Sequence, residues 1–308
     1  MKKIVITEFM DTASVEFLET HYAVVYDPLL VDDTGRLLCE LADADALIVR
    51  NRTQVRGELL AALTRATVVG RLGVGLDNID VPACEARGIQ VIPATGANAL
   101  AVAEYVIGTA MMLLRGIYHD TAAVTQGQWP RGRLSNGREI AGKCLGLIGF
   151  GGIGRLTATL AKGLGMRVVA FDPMLAAHAP QWQQLGVMPL GLEALLAQAD
   201  VLSLHVPLTD ATQGLLSRER IAQMKPGAVV INTARGNIAD EAAVADALRA
   251  GALGGAAFDV FELEPLPAAS PWVGCPNLVL TPHVAGVTAE SNQRVSTLIA
   301  AEVHRALG

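Results

Sequence analysis

Aromatic side chains make up only 4% of the sequence, and the four cysteines, Cys39, Cys84, Cys144 and Cys275, stand far apart without a C-x-x-C pair. That spacing excludes a disulfide framework and a thiolate zinc site; a reducing, cytoplasmic location is expected and no metal site is. Positive charge is not in excess either: 24 Lys and Arg against 30 Asp and Glu give a formal net charge of −6. With no general attraction to phosphate backbones or anionic lipid, neither a nucleic-acid nor a membrane partner is expected. Long hydrophobic runs are also missing. The most apolar segment, Leu100 to Leu114, is interrupted by Glu104 and falls short of the about 20 residues that span a bilayer, so it reads as a buried helix. Met1 to Glu8 reaches a carboxylate too soon for the apolar stretch of a signal peptide, and the chain is expected not to be secreted.

What the chain has in quantity is aliphatic bulk: 51% of its 308 residues are hydrophobic and 18% charged. That composition belongs to a compact globular protein, and the length predicts two domains. Short Val- and Ile-rich runs alternate with helical stretches, the pattern of parallel strands covered on both faces. The first series of expected strands comprises Lys3 to Thr7, Ala23 to Tyr26, Ala46 to Val49, Thr67 to Arg71 and Gln90 to Ile92. A second follows the helix Ala99 to Arg115: Cys144 to Phe150, Met166 to Phe171, Val201 to Val206, Ala228 to Asn232, Gly255 to Asp259 and Asn277 to Leu280. The fold class is therefore α/β, with two doubly wound parallel sheets and a terminal helix over Thr288 to Leu307.

The second series opens with Gly149-Phe150-Gly151-Gly152-Ile153-Gly154, a G-x-G-x-x-G that leaves a strand and enters a helix. Gly149 permits the tight turn, Gly151 lets backbone approach a pyrophosphate, and Gly154 lets the helix pack closely on its strand. The helix N-terminus then faces the anion, within reach of Arg155. Asp172 ends the next strand, where a carboxylate accepts from both ribose hydroxyls and repels a 2′-phosphate, so the expected cofactor is NAD.

Three further groups follow strand C-termini, the edge at which open α/β sheets bind ligands. Arg235 presents a planar fork of donors suited to a carboxylate. His283 offers an imidazole, the side chain suited to act as an acid/base for alcohol and carbonyl interconversion. Glu264 is placed to orient that imidazole and strengthen its hold on a proton.

Several segments together resemble the ordered signatures of the D-isomer-specific 2-hydroxyacid dehydrogenases, most closely the short-form phosphoglycerate dehydrogenase branch. They are Gly73-Val74-Gly75-Leu76-Asp77-Asn78-Ile79-Asp80, Gly149 to Gly154, His205-Val206-Pro207-Leu208, Asn232-Thr233-Ala234-Arg235-Gly236, Asp259-Val260-Phe261-Glu262-Leu263-Glu264-Pro265 and Thr281-Pro282-His283. The resemblance implies a Rossmann NAD-binding domain over residues 99–284, inserted in a flavodoxin-like substrate domain made of residues 1–98 and 285–308. It implies that His283 donates the proton to the 2-oxo group, with Glu264 as its partner, and that Arg235 binds the substrate carboxylate. Val74 and Gly75 would help hold the substrate, and Asp259 would orient the nicotinamide carboxamide beside Thr233 and Ala234. Gly149, Gly151, Gly152, Ile153, Gly154, Arg155, Asp172, His205, Val206, Pro207 and Gly286 complete the implied cofactor set. Ala285 departs from an expected Gly, and Asn51 stands where phosphoglycerate enzymes more often carry Ser; both bear on which substrate is used.

The implied reaction is NAD-dependent hydride transfer at C2 of a small 2-hydroxy or 2-oxo acid. Arg50 and Arg71 flank the Gly73–Gly75 turn and offer a second anion site, which a substrate of the 3-phosphoglycerate or 3-sulfolactate type would need. A hydroxypyruvate or glyoxylate reductase of the same family would share Arg235, Glu264 and His283. A catalytically silent NAD(H)-sensing protein on this fold is the remaining alternative. The apolarity of Ala99 to Arg115 exceeds what a surface helix needs, and a homodimer packed through that region is expected.

Overall fold

The computed structural model describes all of Met1–Gly308. The chain forms two units, one from Met1–Asn98 with Val287–Gly308 and the other from the continuous segment Ala99–Gly286. The return to the first unit thus falls two residues beyond the expected 284/285 boundary. The physical reason is that the amides of Val284 and Ala285 are bonded to Asp259 in the second unit.

The first unit holds β1 (Lys3–Ile6), β2 (Ala23–Tyr26), β3 (Ala46–Val49), β4 (Val68–Arg71) and β5 (Gln90–Pro93). They pair in parallel in the order β2-β1-β3-β4-β5, the flavodoxin-like arrangement. Apolar clusters cover both faces of this sheet, which is why all four residues of β3 are apolar and buried. One cover is the helix Ala289–Leu307, whose Ile299 and Val303 press on β4 at Gly70. A Cβ there would lie 2.7 Å from Ile299 Cγ2.

The second unit holds β6 (Cys144–Ile148), β7 (Arg167–Phe171), β8 (Met188–Pro189), β9 (Val201–Leu204), β10 (Ala228–Asn232), β11 (Leu253–Phe258) and β12 (Leu278–Leu280). All are parallel in the order β12-β11-β10-β9-β6-β7-β8, a Rossmann sheet with one added edge strand. The order reverses between β6 and β9, and the loops that leave these strands carry the glycine-rich turn and His205.

The helix Ala99–Arg115 corrects one premise of the sequence reading. Ten of its 17 residues are buried, and Val106, Ile107, Ala110, Leu113 and Leu114 pack in the core that this unit forms with the Gly152–Gly163 helix and the sheet. Its apolarity is therefore accounted for inside the chain. In this helix Leu100 and Met111 are the exposed large apolar side chains, followed past its end by Tyr118, Val124 and Trp129. No single helix is long and apolar enough to cross a membrane.

Candidate active site

The glycine-rich turn is built by close contacts that admit no side chain. Gly149 has φ 97°, and a Cβ on it would lie 2.5 Å from the His205 carbonyl oxygen; one on Gly154 would lie 2.4 Å from the Gly149 oxygen. Over Gly151 and Gly152, by contrast, an added Cβ meets nothing. Gly151 sits at the N-cap of the Gly152–Gly163 helix with no side chain to cap it, leaving the first amides directed outward. Arg155 folds back with Nε 3.3 Å from the Gly151 oxygen. Asp172 accepts from Phe150 N at 2.8 Å and from Met174 N at 2.9 Å, so it pins the turn while each oxygen keeps a further acceptor position.

His205 lies under this turn, with Nε2 2.9 Å from Ser203 Oγ. Burial pushes its pKa down to about 4, so the ring is neutral at pH 7. Val206 lines the same turn from its half-buried side, and Pro207 is exposed. Past β10, the Thr233 hydroxyl is buried without a partner, and Ala234 N is held by Asn232 Oδ1 at 3.0 Å. Open space over two glycines, an uncapped helix start, an acid at the end of β7 and an orphaned hydroxyl together fit NAD.

The proposed proton-handling pair is in contact: His283 Nδ1 and Glu264 Oε2 are 2.8 Å apart, with side chains 47% and 38% exposed. Glu264 Oε1 also accepts from Phe261 N at 3.0 Å. His283 adopts φ 56°, a left-handed conformation that a non-glycine residue occupies only when its surroundings enforce it. Asp259 provides the enforcement from 1% exposure. Its carboxylate accepts from Val284 N and Ala285 N at 2.8 Å each and from Thr281 Oγ1 at 2.6 Å, and its carbonyl accepts from His283 N at 2.8 Å. Tyr105 OH joins the set at 2.8 Å from Thr281 Oγ1. Asp259, assigned by resemblance to the nicotinamide, thus spends most of its acceptor capacity on the loop carrying His283. Gly286 closes that loop. Arg235, half-buried three residues past β10, donates through Nη1 to the Ala234 oxygen at 2.6 Å.

In the first unit, the loop after β3 is organised by a carboxylate that sequence reasoning passed over. Glu8, 4% exposed, accepts from four successive amides: Arg50 N at 2.9 Å, Asn51 N at 3.2 Å, Arg52 N at 3.0 Å and Thr53 N at 3.0 Å. Burial opposes the ionised carboxylate, but these bonds prevail and hold its pKa below the usual range. Arg52 is engaged with Asp32. The Arg50 guanidinium is half-buried, bonded to Asn292 Oδ1 at 2.8 Å and lying 5.7 Å from the Phe9 ring centroid, and has no ion-pair partner. Desolvation pulls its pKa down, opposed by the nearby Glu8 charge. Past β4, Arg71 Nη1 occupies the space a Cβ on Gly73 would fill, and the next amides, of Val74 and Gly75, are in no backbone bond. A charged residue just past the first apolar strand, at Ile4-Val5-Ile6-Thr7-Glu8, was the available signal for Glu8.

A family model described as D-isomer specific 2-hydroxyacid dehydrogenase, NAD binding domain, matches residues 107–285. The (S)-sulfolactate dehydrogenase of Chromohalobacter salexigens is 52% identical over 308 residues, covering 100% of this chain and 99% of that protein. The D-3-phosphoglycerate dehydrogenase of Mycobacterium tuberculosis is 42% identical over 276 residues, 89% of this chain but 51% of that protein, so the chain spans about half of that relative. The crystal structure of the TT0316 protein from Thermus thermophilus aligns with a TM-score of 0.87 at 31% identity, covering 99% of this chain and 96% of that one.

Proposed function

The chain belongs to the D-isomer specific 2-hydroxyacid dehydrogenase family and is an NAD-dependent oxidoreductase, and from that premise we propose that its substrate carries a second anion at C3, a sulfonate as in 3-sulfolactate. The observation that carries this reading is Arg50: a desolvated guanidinium held by one amide oxygen and one aromatic ring, with no carboxylate paired to it. The neighbouring amides cannot serve an anion, because Glu8 already takes all four, and Arg52 is occupied by Asp32. One uncompensated positive group beside a buried negative one favours a singly charged sulfonate over a doubly charged phosphate.

In the reduction of the 2-oxo acid, NAD in its reduced form supplies the hydride to C2. His283 gives its proton to the carbonyl oxygen, and Glu264 stabilises the imidazolium form that donates it. Arg235 holds the substrate carboxylate and polarises the carbonyl. Gly151, Gly152, Ile153 and Arg155 would hold the pyrophosphate, Asp172 the adenosine ribose, and Thr233 the nicotinamide side.

NADH absorbance followed with sulfopyruvate, 3-phosphohydroxypyruvate, hydroxypyruvate and glyoxylate tests the substrate. We expect sulfopyruvate to lead, with its kcat/KM advantage over the phosphate shrinking below about pH 6, where the phosphate takes up its second proton and the sulfonate is unchanged. Groups on the enzyme cancel in that ratio. An advantage for the phosphate that grows with pH would overturn the sulfonate assignment and keep the second anion. A lead for glyoxylate or hydroxypyruvate would overturn both.

For assembly, the proposal is a homodimer whose contact centres on Tyr118, Val124 and Trp129, 58%, 43% and 79% exposed, beside Met111 of the Ala99–Arg115 helix. Trp129→Asp should shift sedimentation toward the monomer. Four unpaired cysteines support the cytoplasm as the compartment.

A further inference from the structure

Glu264 rides on residues 259–277, the connection between β11 and β12 that contains no helix or strand. Leu263, next to it, is 65% exposed. A loop of this length and exposure does not hold a carboxylate at hydrogen-bond distance from an imidazole unless it is fastened elsewhere.

The fastening is a second carboxyl group, on Glu241. It lies in the first turn of the helix Glu241–Arg249, yet it does not cap that helix: Asp240 does, accepting from Ala243 N at 2.8 Å. Glu241 turns instead into the protein, where it is 7% exposed. Its Oε1 accepts from Glu262 N at 2.5 Å, and its Oε2 from the indole Nε1 of Trp272 at 3.0 Å. Trp272 is itself buried, its ring 4.6 Å from that of Phe258 at the end of β11. Residues 262 and 272 lie on either side of Glu264. From the other direction the backbone of Gly236 closes on the same stretch, so tightly that a Cβ on it would overlap the Phe261 oxygen.

A buried carboxyl group with Glu262 and Glu264 as charged neighbours, and Asp240 beside it on its own helix, is a costly way to begin a helix that another residue already caps. Burial and the two glutamates push its pKa up, opposed by the bonds from Glu262 and Trp272. Its geometry has a different use.

We propose that Glu241 is a positioning residue for the Glu264–His283 pair: one carboxyl group ties down both sides of the loop on which Glu264 stands. Phe261 N, one residue before the tethered Glu262, donates to Glu264 Oε1, and Glu264 Oε2 meets His283 Nδ1. The tether therefore reaches the imidazole through two intervening bonds without Glu241 touching any reacting group. This inference rests on His283 as the proton donor. Turnover near the wild-type rate in His283→Ala would remove that reading, whatever Glu241 does.

Glu241→Gln separates the two tethers. The amide oxygen can still accept from one N–H, but the amide nitrogen faces the other as donor against donor. We expect kcat for reduction to fall about tenfold near neutral pH and the alkaline limb of the pH profile of kcat/KM to move to lower pH, because a loosened Glu264 stabilises the protonated imidazole less. NADH binding by fluorescence titration should stay within twofold. Adding Trp272→Phe removes the opposed donor, leaves the amide oxygen to Glu262 N, and should return the limb most of the way to its wild-type position. In a Glu264→Gln background, Glu241→Gln should add nothing to either effect. Should Glu241→Gln not fold, Glu241→Asp, too short to reach both partners, enters the same cycle. A wild-type limb in these single variants, or full additivity with Glu264→Gln, would overturn the proposal and leave Glu241 a purely structural residue.

Discussion

The loops that follow β3 and β12 are both shaped by a carboxylate, and they differ in what that carboxylate leaves over. After β3, Glu8 collects the amides of residues 50–53 and is nearly sealed from water. After β12, Asp259 does the same for Val284, Ala285 and Thr281, equally sealed. The second loop, however, has a further carboxylate, Glu264, at its imidazole, and that pair is half open to solvent. Buried carboxylates here serve geometry, with their acceptor positions filled by backbone. The exposed one meets the imidazole to which the proposed reaction assigns proton transfer. Burial thus divides framework from chemistry more reliably than residue type does.

His283→Ala tests the exposed side of this contrast and carries the largest expected effect. Turnover should fall about 10²- to 10⁴-fold, the usual worth of a positioned proton donor, while the melting temperature and NADH affinity stay near wild type. Glu8→Ala tests the sealed side. It strands four amides in a buried loop and should cost about 3 kcal/mol of unfolding free energy, read by urea titration. An unchanged stability would break the comparison.

His205 sharpens the contrast, as a half-buried titratable group without a carboxylate. Its folded-state pKa of about 4 lies below the ordinary 6.5, so the unfolded chain binds the proton first. Between those values stability should fall as pH falls, by up to about 1.4 kcal/mol per pH unit. Unfolding curves at pH 7 and pH 5 should show this loss in the wild type and lack it in His205→Asn.

Arg50→Lys carries the smallest effect. KM for the C3-anionic substrate should rise about tenfold with kcat little changed, since a point charge replaces a fork lying on Phe9. An equal loss with glyoxylate would mean that Arg50 does not read the C3 group.

Most of the fold was legible because buried parallel strands are written as continuous apolar runs, and the runs in β3 and β10 admit no other element. The strands carrying site loops stop earlier than their apolar runs: β6 ends at Ile148 and β9 at Leu204, where the backbone turns to shape the glycine loop. The two-residue strand Met188–Pro189 was missed, being too short for any period and containing proline. At the candidate site, the pairing of His283 with Glu264 was legible through chemistry placed after strand ends. Asp259 showed only half its work, because its partners lie 22 to 26 residues onward. Glu241 was hidden for another reason: an acid in a first helical turn already has a sufficient local explanation. The excess apolarity of Ala99–Arg115 was real but pointed inward.

Gly70 in β4 sets an order of assembly. Its bare backbone is the seat for Ile299 and Val303, so the first sheet cannot be covered on that face until the helix Ala289–Leu307 has been made. The segment Ala99–Gly286, being continuous, has all its own contacts available earlier. On the ribosome the interrupted unit is therefore begun before the continuous one and finished after it, and until then Val68 and its apolar neighbours on that face remain a surface for chaperones to guard.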